Sequence, residues 1–260
     1  MRRAVLLLLG ALLAAAPSQA QRGRRGSAEL ARHVEQLGAD DPAAVRGALE
    51  SLGILGDARA AQPIAERIRR GLPPDLLEPA ISTLALLGSP EAGPVLFELA
   101  SHRRPEVRLA AVQAITAVRP RGADRALAQA LGDADPQVRA AAASGLGELG
   151  ATSALDSLFL ALDRHVPEAA AAIGRLARPA EVERFLGYLG RLPFDLVTLA
   201  LGEMLSRDSL AEPARLSIVH RLAELATPEA RAFLEQLLPS LPERSRVRRA
   251  AEDAVGRIGP

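Results

Sequence analysis

Residues 133–150 read Asp-Ala-Asp-Pro-Gln-Val-Arg-Ala-Ala-Ala-Ala-Ser-Gly-Leu-Gly-Glu-Leu-Gly, the punctuation of a single helix. Asp135 is placed to cap it. Pro136 occupies the first helical position, where a missing N–H costs nothing, and Gly150 is placed to take the left-handed conformation that ends it. Between these signals Val138, Ala142, Leu146 and Leu149 fall three or four apart, on one face.

The same proline recurs at Pro42, Pro74, Pro105, Pro136 and Pro167, with spacings of 32, 31, 31 and 31 residues. After each of the first four helices a second apolar run follows at nearly constant offset: Ala60/Ile64/Ile68, Ala92/Leu96/Ala100, Ala123/Leu127/Leu131 and Ala154/Leu158/Leu162. One repeat is therefore a helical hairpin. A period of about thirty residues built from two helices predicts an all-α solenoid of stacked antiparallel hairpins, because no single unit buries its apolar face alone.

Composition agrees with a stack. Aromatic residues make up 2% of the 260 and Trp is absent. An Ala- and Leu-rich interior suits thin, close helices, and Gly47, Gly53, Gly145 and Gly147 are candidates for close backbone approach. It does not suit a deep pocket lined by rings. All 32 basic residues are Arg, with no Lys and no Asn, a bias that GC-rich codons explain without selection for anion binding. The 31 acidic residues nearly balance them, which excludes a basic nucleic-acid-binding domain.

The amino terminus has the pattern of an export signal. Arg2 and Arg3 precede an apolar run from Ala4 to Ala16, and Ser18-Gln19-Ala20 offers small residues where a signal peptidase reads. Cleavage is expected after Ala20, which makes residues 1–20 a signal peptide and the location periplasmic or secreted. An uncleaved anchor is the alternative, although the run is shorter than the roughly 20 residues that span a bilayer. No integral membrane segment remains after cleavage. Cys is absent, so no lipid-anchored cysteine, disulfide or thiol chemistry is available.

In order, residues 21–26 (Gln-Arg-Gly-Arg-Arg-Gly) read as a flexible basic linker, and Ser27 as the cap of a helix ending near Gly38 with Leu30, Val34 and Leu37 inward. The solenoid is expected over 27–259, with regular repeats over about 41–165 and irregular ones over 166–259. The helix after Pro193 lacks a normal partner, and Ser206–Ala211 is the expected joint. A final helix, Pro242 to Ile258, with Arg244, Arg248 and Glu252 on its polar face, would close the far end.

Asp135-Pro136-Gln137-Val138-Arg139 with Leu149-Gly150, and again Arg104-Pro105-Glu106-Val107-Arg108 and Asp41-Pro42-Ala43-Ala44-Val45-Arg46, resemble the HEAT repeat family, in the bacterial form first associated with phycobilin lyases. The resemblance is strong over 40–165 and weaker beyond. It implies a right-handed, armadillo-like superhelix whose second helices line a partner-binding concave surface, with the Arg after the valine pairing or packing between repeats. Departures stand at Arg104, where Asp is preferred, at Pro73-Pro74-Asp75, and at Arg119-Pro120 in place of Leu-Gly-Asp.

Chemistry finds no foothold. None of His33, His102, His165 and His220 is followed by Glu, so the paired His-Glu metal ligands of the HEAT-repeat hydroxylase are missing. No nucleophile elbow occurs, and Gly145-Leu146-Gly147 lies inside a helix, where it packs and does not cradle phosphate. No catalytic residue, metal or cofactor is assigned. The surface remains: Gln62, Glu66, Glu98, Arg125, Gln129, Asp156, Leu160 and Glu183 face away from the apolar stripes of the second helices and form the expected partner-binding ridge. The function expected is a monomeric, non-enzymatic scaffold or adaptor for a protein partner. A non-catalytic subunit or chaperone-like factor for a cofactor-bearing, lyase-type enzyme, and a structural envelope protein, are the alternatives.

Overall fold

A computed structural model describes residues 19–259; most of the expected signal peptide, residues 1–18, lies outside the described part. Among the described residues there are fifteen α-helices and no strand. Helix α1 (Gln19–Gln36) is followed by five hairpins: α2 (Pro42–Leu55) with α3 (Ala61–Arg70), α4 (Leu77–Leu87) with α5 (Gly93–Leu99), α6 (Pro105–Val118) with α7 (Ala123–Ala130), α8 (Pro136–Leu149) with α9 (Leu155–Asp163), and α10 (Glu168–Leu176) with α11 (Pro179–Leu186). Then come α12 (Phe194–Ser206), α13 (Glu212–Leu225), α14 (Pro228–Leu237) and α15 (Arg246–Arg257).

The start differs from the sequence expectation. Helix α1 begins at Gln19 and runs through 21–26, so that stretch is helical and not a flexible linker, and Ser27 lies inside the helix instead of capping it. Arg and Gln are good helix formers, and two glycines do not break a helix that continues for ten further residues to Gln36.

Inside the hairpins the signals act as the sequence implies. Asp135 accepts from the backbone N–H groups of Gln137 and Val138, at 2.8 and 3.3 Å, and Asp41 does the same for Ala43 and Ala44. Arg104 brings no cap oxygen. There the Nδ1 of His102 accepts the Arg104 backbone N–H at 3.2 Å, the place that Asp133 Oδ1 fills for Asp135 one repeat later. Likewise Arg119, where a glycine was expected, takes the left-handed conformation (φ 53°) that Gly150 takes at the end of α8.

The core is a column. Leu52, Leu84, Ile115 and Leu146, each ten residues after its repeat's proline, are fully buried. Burial of such a side chain stabilises by about 1.5–3 kcal/mol. The first helices lie directly on one another from α2 to α12 through α4, α6, α8 and α10, whereas the second helices α3, α5, α7 and α9 each wedge against the next first helix and scarcely touch one another.

Small residues set that asymmetry. A Cβ on Gly174 of α10 would fall 2.6 Å from the carbonyl oxygen and 2.9 Å from the Cα of Ala200 in α12; one on Gly147 would fall 3.3 Å from the Cα of Ala172. Gly145 is also tight, against Thr116. Gly53 touches only side chains at ordinary distance, and Gly47 has nothing within 4 Å, so its expected role in close approach is not realised: it lies on the exposed side of α2.

Regularity ends where the sequence weakens. Helix α12 packs on α10 with no second helix of its own; the chain turns through 207–211, α13 lies against α11, and α15 against α13. Arg207 holds the joint, its guanidinium donating to the carbonyls of Gly174, Arg175 and Ala177 at the end of α10.

Gly174→Ala is expected to destabilise the fold by about 1–3 kcal/mol through overpacking against backbone, while Gly47→Ala should stabilise it by about 0.5–1 kcal/mol. Urea unfolding of the two variants beside the wild type measures both, and equal effects at the two sites would show that the α10–α12 approach is not tight.

Candidate functional site

The eight ridge residues all emerge exposed on second helices: Gln62 and Glu66 on α3, Glu98 on α5, Arg125 and Gln129 on α7, Asp156 and Leu160 on α9, Glu183 on α11. Most of their polar groups are engaged. Gln62 donates to Glu66 at 3.1 Å, Glu98 pairs with Arg69 at 2.8 Å, Asp156 with Arg184 at 2.7 Å, and Glu183 accepts from the Ser217 hydroxyl at 2.5 Å. Leu160 is half exposed (50%), a large apolar side chain in a polar row.

Because second helices stand apart, this side of the stack is grooved. The gap between α5 and α7 holds a hollow of about 510 Å³, walled by Phe97 and Ser101 on one side and Arg121, Arg125 and Gln129 on the other. Its floor is the Arg108–Asp133 ion pair, two bonds of 2.7 Å between side chains only 16% and 10% exposed. Arg108 is the arginine after the repeat's valine, and it joins its own helix to the loop that opens the next repeat while also donating to the His102 carbonyl. The Arg108 guanidinium, with help from the Asp135 backbone N–H, holds the Asp133 carboxyl below the usual carboxylate range against the opposing effect of burial. On the other side of Phe97 a second hollow of about 470 Å³ is apolar, formed by Pro90, Pro94, Phe97 and Pro120.

Phe97 and Arg121 escaped the sequence reading. Their signal was the pair of departures from the repeat at Gly93-Pro94 and Arg119-Pro120-Arg121. In space these departures complement each other, since a Cβ on Gly93 would meet the Pro120 Cβ at 2.7 Å.

Three of the six aromatic residues gather elsewhere, between α9 and α11. Phe159, Phe185 and Tyr188 have ring centroids 5.8–6.5 Å apart, and the Arg184 guanidinium lies 3.9 Å over the Phe159 ring. This is packed core and not a pocket. Burial and the bond from its hydroxyl to Asp163 (2.8 Å) both push the Tyr188 phenol up. Among the described residues no three His, Cys, Asp or Glu side chains converge to hold a metal, and no helix is long and apolar enough to cross a membrane.

Residues 93–177 match the family model of HEAT repeats. The matched stretch contains the lining of the larger hollow between α5 and α7 and the Pro105 and Pro136 units, while Pro90 and Glu91 of the apolar hollow lie just before it. The fold is similar to that of a chain in a homology model of the full-length AP-3 complex in an intermediate open conformation (TM-score 0.55, 15% identity, covering 90% of this chain and 52% of that one). It is also similar to a chain in the structure of the CpcE–CpcF complex of phycocyanin lyase from Nostoc sp. PCC7120 (TM-score 0.49, 19% identity, 98% of this chain and 100% of that one covered) and to a designed armadillo repeat protein in complex with the peptide (KR)4 (0.43, 16%, 89% and 100%). No curated protein matches the sequence. At 15% identity the likeness to the AP-3 chain is one of fold alone, that of an α-solenoid.

Asp133→Asn is expected to lower the melting temperature by about 3–6 °C near neutral pH, since it leaves Arg108 with half its partner. The sign with pH follows from the depressed carboxyl. Its stabilisation is fully present above about pH 4 and is lost as pH falls through the folded-state value, so the wild type and the variant should converge in acid. Thermal melts from pH 7 to pH 2 test this; a gap that persists at pH 2 would mean that the pair is not the cause.

Proposed function

We propose that the protein is an exported, non-catalytic adaptor that holds a protein partner against its second-helix surface. The observation that carries this reading is the groove between α5 and α7, which places an aromatic ring and two arginines together on an otherwise ion-paired surface. A stack whose first helices are locked by backbone contact is stiff along one side, and a stiff, grooved side suits recognition by shape with little ordering cost. The HEAT repeats over 93–177 and the solenoid fold support a binding role.

Export is part of the proposal and rests on the leader pattern of residues 1–20. The mature chain would then begin at Gln21 and carry 30 arginines against 31 acids, close to neutral. Adhesion by bulk charge is weak in such a chain, so specific contacts must supply affinity. A monomer is proposed as well, because the second-helix side is then wholly available to a different protein.

The test is crosslinking in the native envelope, with the double variant Glu98→Arg/Arg125→Glu beside the wild type. Both positions are exposed, so helical content and melting temperature should hold while recovery of the trapped partner falls at least fivefold. Undiminished recovery would remove the second-helix surface from the account. Amino-terminal sequencing of the envelope-fractionated protein should begin at Gln21; an intact Met1 in the cytosol would remove export.

A further inference from the structure

We infer that the α5–α7 groove is a docking site for an extended peptide segment bearing a large apolar or aromatic residue and, two positions away, an acidic one. This deepens the adaptor reading and rests on it. Three features of the groove carry the inference.

The first is unspent positive charge. Four carboxylates around the groove are engaged elsewhere, Glu98 by Arg69, Asp133 by Arg108, Asp156 by Arg184 and Asp124 by the Ser153 hydroxyl, and Glu91, which lines the apolar hollow together with Arg121, makes no ion pair with it. Among the described residues neither Arg121 nor Arg125 makes an ion pair or a side-chain hydrogen bond; other exposed arginines such as Arg70 and Arg103 are also unpaired, but these two line the same hollow. The comparable hollow between α11 and α13 shows the contrast: its Glu183 is bonded to Ser217 and its Arg221 to Glu224. Planar guanidinium groups left free over a partly apolar hollow match a carboxylate bidentately.

The second is the division of the groove. Phe97 and Arg121 line both hollows, so the apolar one (Pro90, Pro94, Pro120) and the basic one (Arg125, Gln129, Ser101) adjoin across a single ring. Glu91 on the apolar lip sets polarity, since it repels an acid placed at that end. In an extended strand, side chains two residues apart point the same way and are about 7 Å apart. An apolar side chain in the first hollow therefore directs an acidic one into the second, with the intervening residue facing solvent.

The third is rigidity. The Arg108–Asp133 pair forms the floor, and Pro120 lies against Gly93 where no Cβ would fit, so the spacing between α5 and α7 is set before any peptide arrives. A preformed site loses less on binding.

The experiment uses the full chain and fluorescein-labelled synthetic peptides, read by anisotropy at low and at 300 mM salt. The parent probe is Ser-Phe-Ser-Glu-Ser-Gly. Four companions carry Gln for Glu, Ala for Phe, Arg for Glu, or Phe and Glu adjacent. Expected are saturable binding of the parent, a loss of at least tenfold with Gln or Arg, at least fivefold with Ala or with the adjacent pair, and several-fold weakening in high salt. Arg125→Glu, exposed and harmless to the fold, should weaken the parent at least tenfold, and Phe97→Ala at least fivefold at unchanged helical content. Equal binding of the Gln peptide, or parent binding untouched by Arg125→Glu, overturns the inference. Displacement of the parent by 5 mM sulfate, with the Ala peptide bound as tightly as the parent, would make the groove a plain anion site and also overturns it.

The two readings fail separately. If the parent peptide does not bind but Glu98→Arg/Arg125→Glu still abolishes partner recovery, the peptide assignment falls and the adaptor stands. If the peptides behave as assigned and no native partner is ever trapped, the groove stands and the adaptor falls.

Discussion

Everything in this structure depends on backbone meeting backbone along the first helices. At Gly174 even a methyl group would collide with the main chain of Ala200, at Gly145 it would meet the Thr116 hydroxyl, and at Gly147 it would stand tight, 3.3 Å from the Ala172 Cα. Close packing there is what a 2% aromatic content permits. Helices that touch through Gly and Ala need little side-chain volume between them, and the column of Leu52, Leu84, Ile115 and Leu146 fills what remains. Tightness on one side has a consequence on the other. The shorter second helices are left apart, and the gaps between them become the grooves of the molecule.

Arginine is the mortar. Arg67 reaches the Leu37 carbonyl at 2.7 Å and also that of Gly71; Arg139 donates to the Asp133 and Ala134 carbonyls, Arg231 to Ile258, and Arg207 to three carbonyls at the end of α10. Helix ends leave carbonyls without intrahelical partners, and a planar fork with five N–H groups satisfies several of them across a repeat boundary in a way that a lysine ammonium does not. Whatever codon bias supplied the arginines, the fold uses them. Arg207 shows the cost, since burial pulls its guanidinium below its ordinary value against the weaker attraction of Glu203, and one of its nitrogens, Nε, stays unbonded. Arg121 and Arg125 are not used in this way, and both line the hollow between α5 and α7.

The irregular places of the sequence prove to be matched pairs. Arg104 lacks a cap oxygen, and His102 two residues earlier supplies an acceptor. Arg119 takes a glycine's conformation, and Pro120 beside it fits against Gly93 of the preceding repeat. At the joint after α12 the missing second helix is answered by Arg207. Read along the chain these look like departures from a pattern; read across repeats each one has its complement.

The sequence by itself determined the hairpin, its period and its order. Caps, Pro at the first turn, a glycine at the end and apolar spacing of three and four are all written within one turn or one repeat of where they act, so Asp135, Pro136 and Gly150 could be read directly. The exposed faces were legible for the same reason, and all eight ridge residues emerge on them. Where the chain is weakly punctuated the reading failed, at the start of α1 and at Gly47. What only the tertiary structure decided is which surfaces face one another: that Gly174 rather than Gly47 meets backbone, that the second helices part, and that Phe97 and Arg121 share a groove with Arg125. Those relations join residues about thirty apart, across a stack whose spacing is fixed by contact between helices, and no local spacing in the chain encodes that distance.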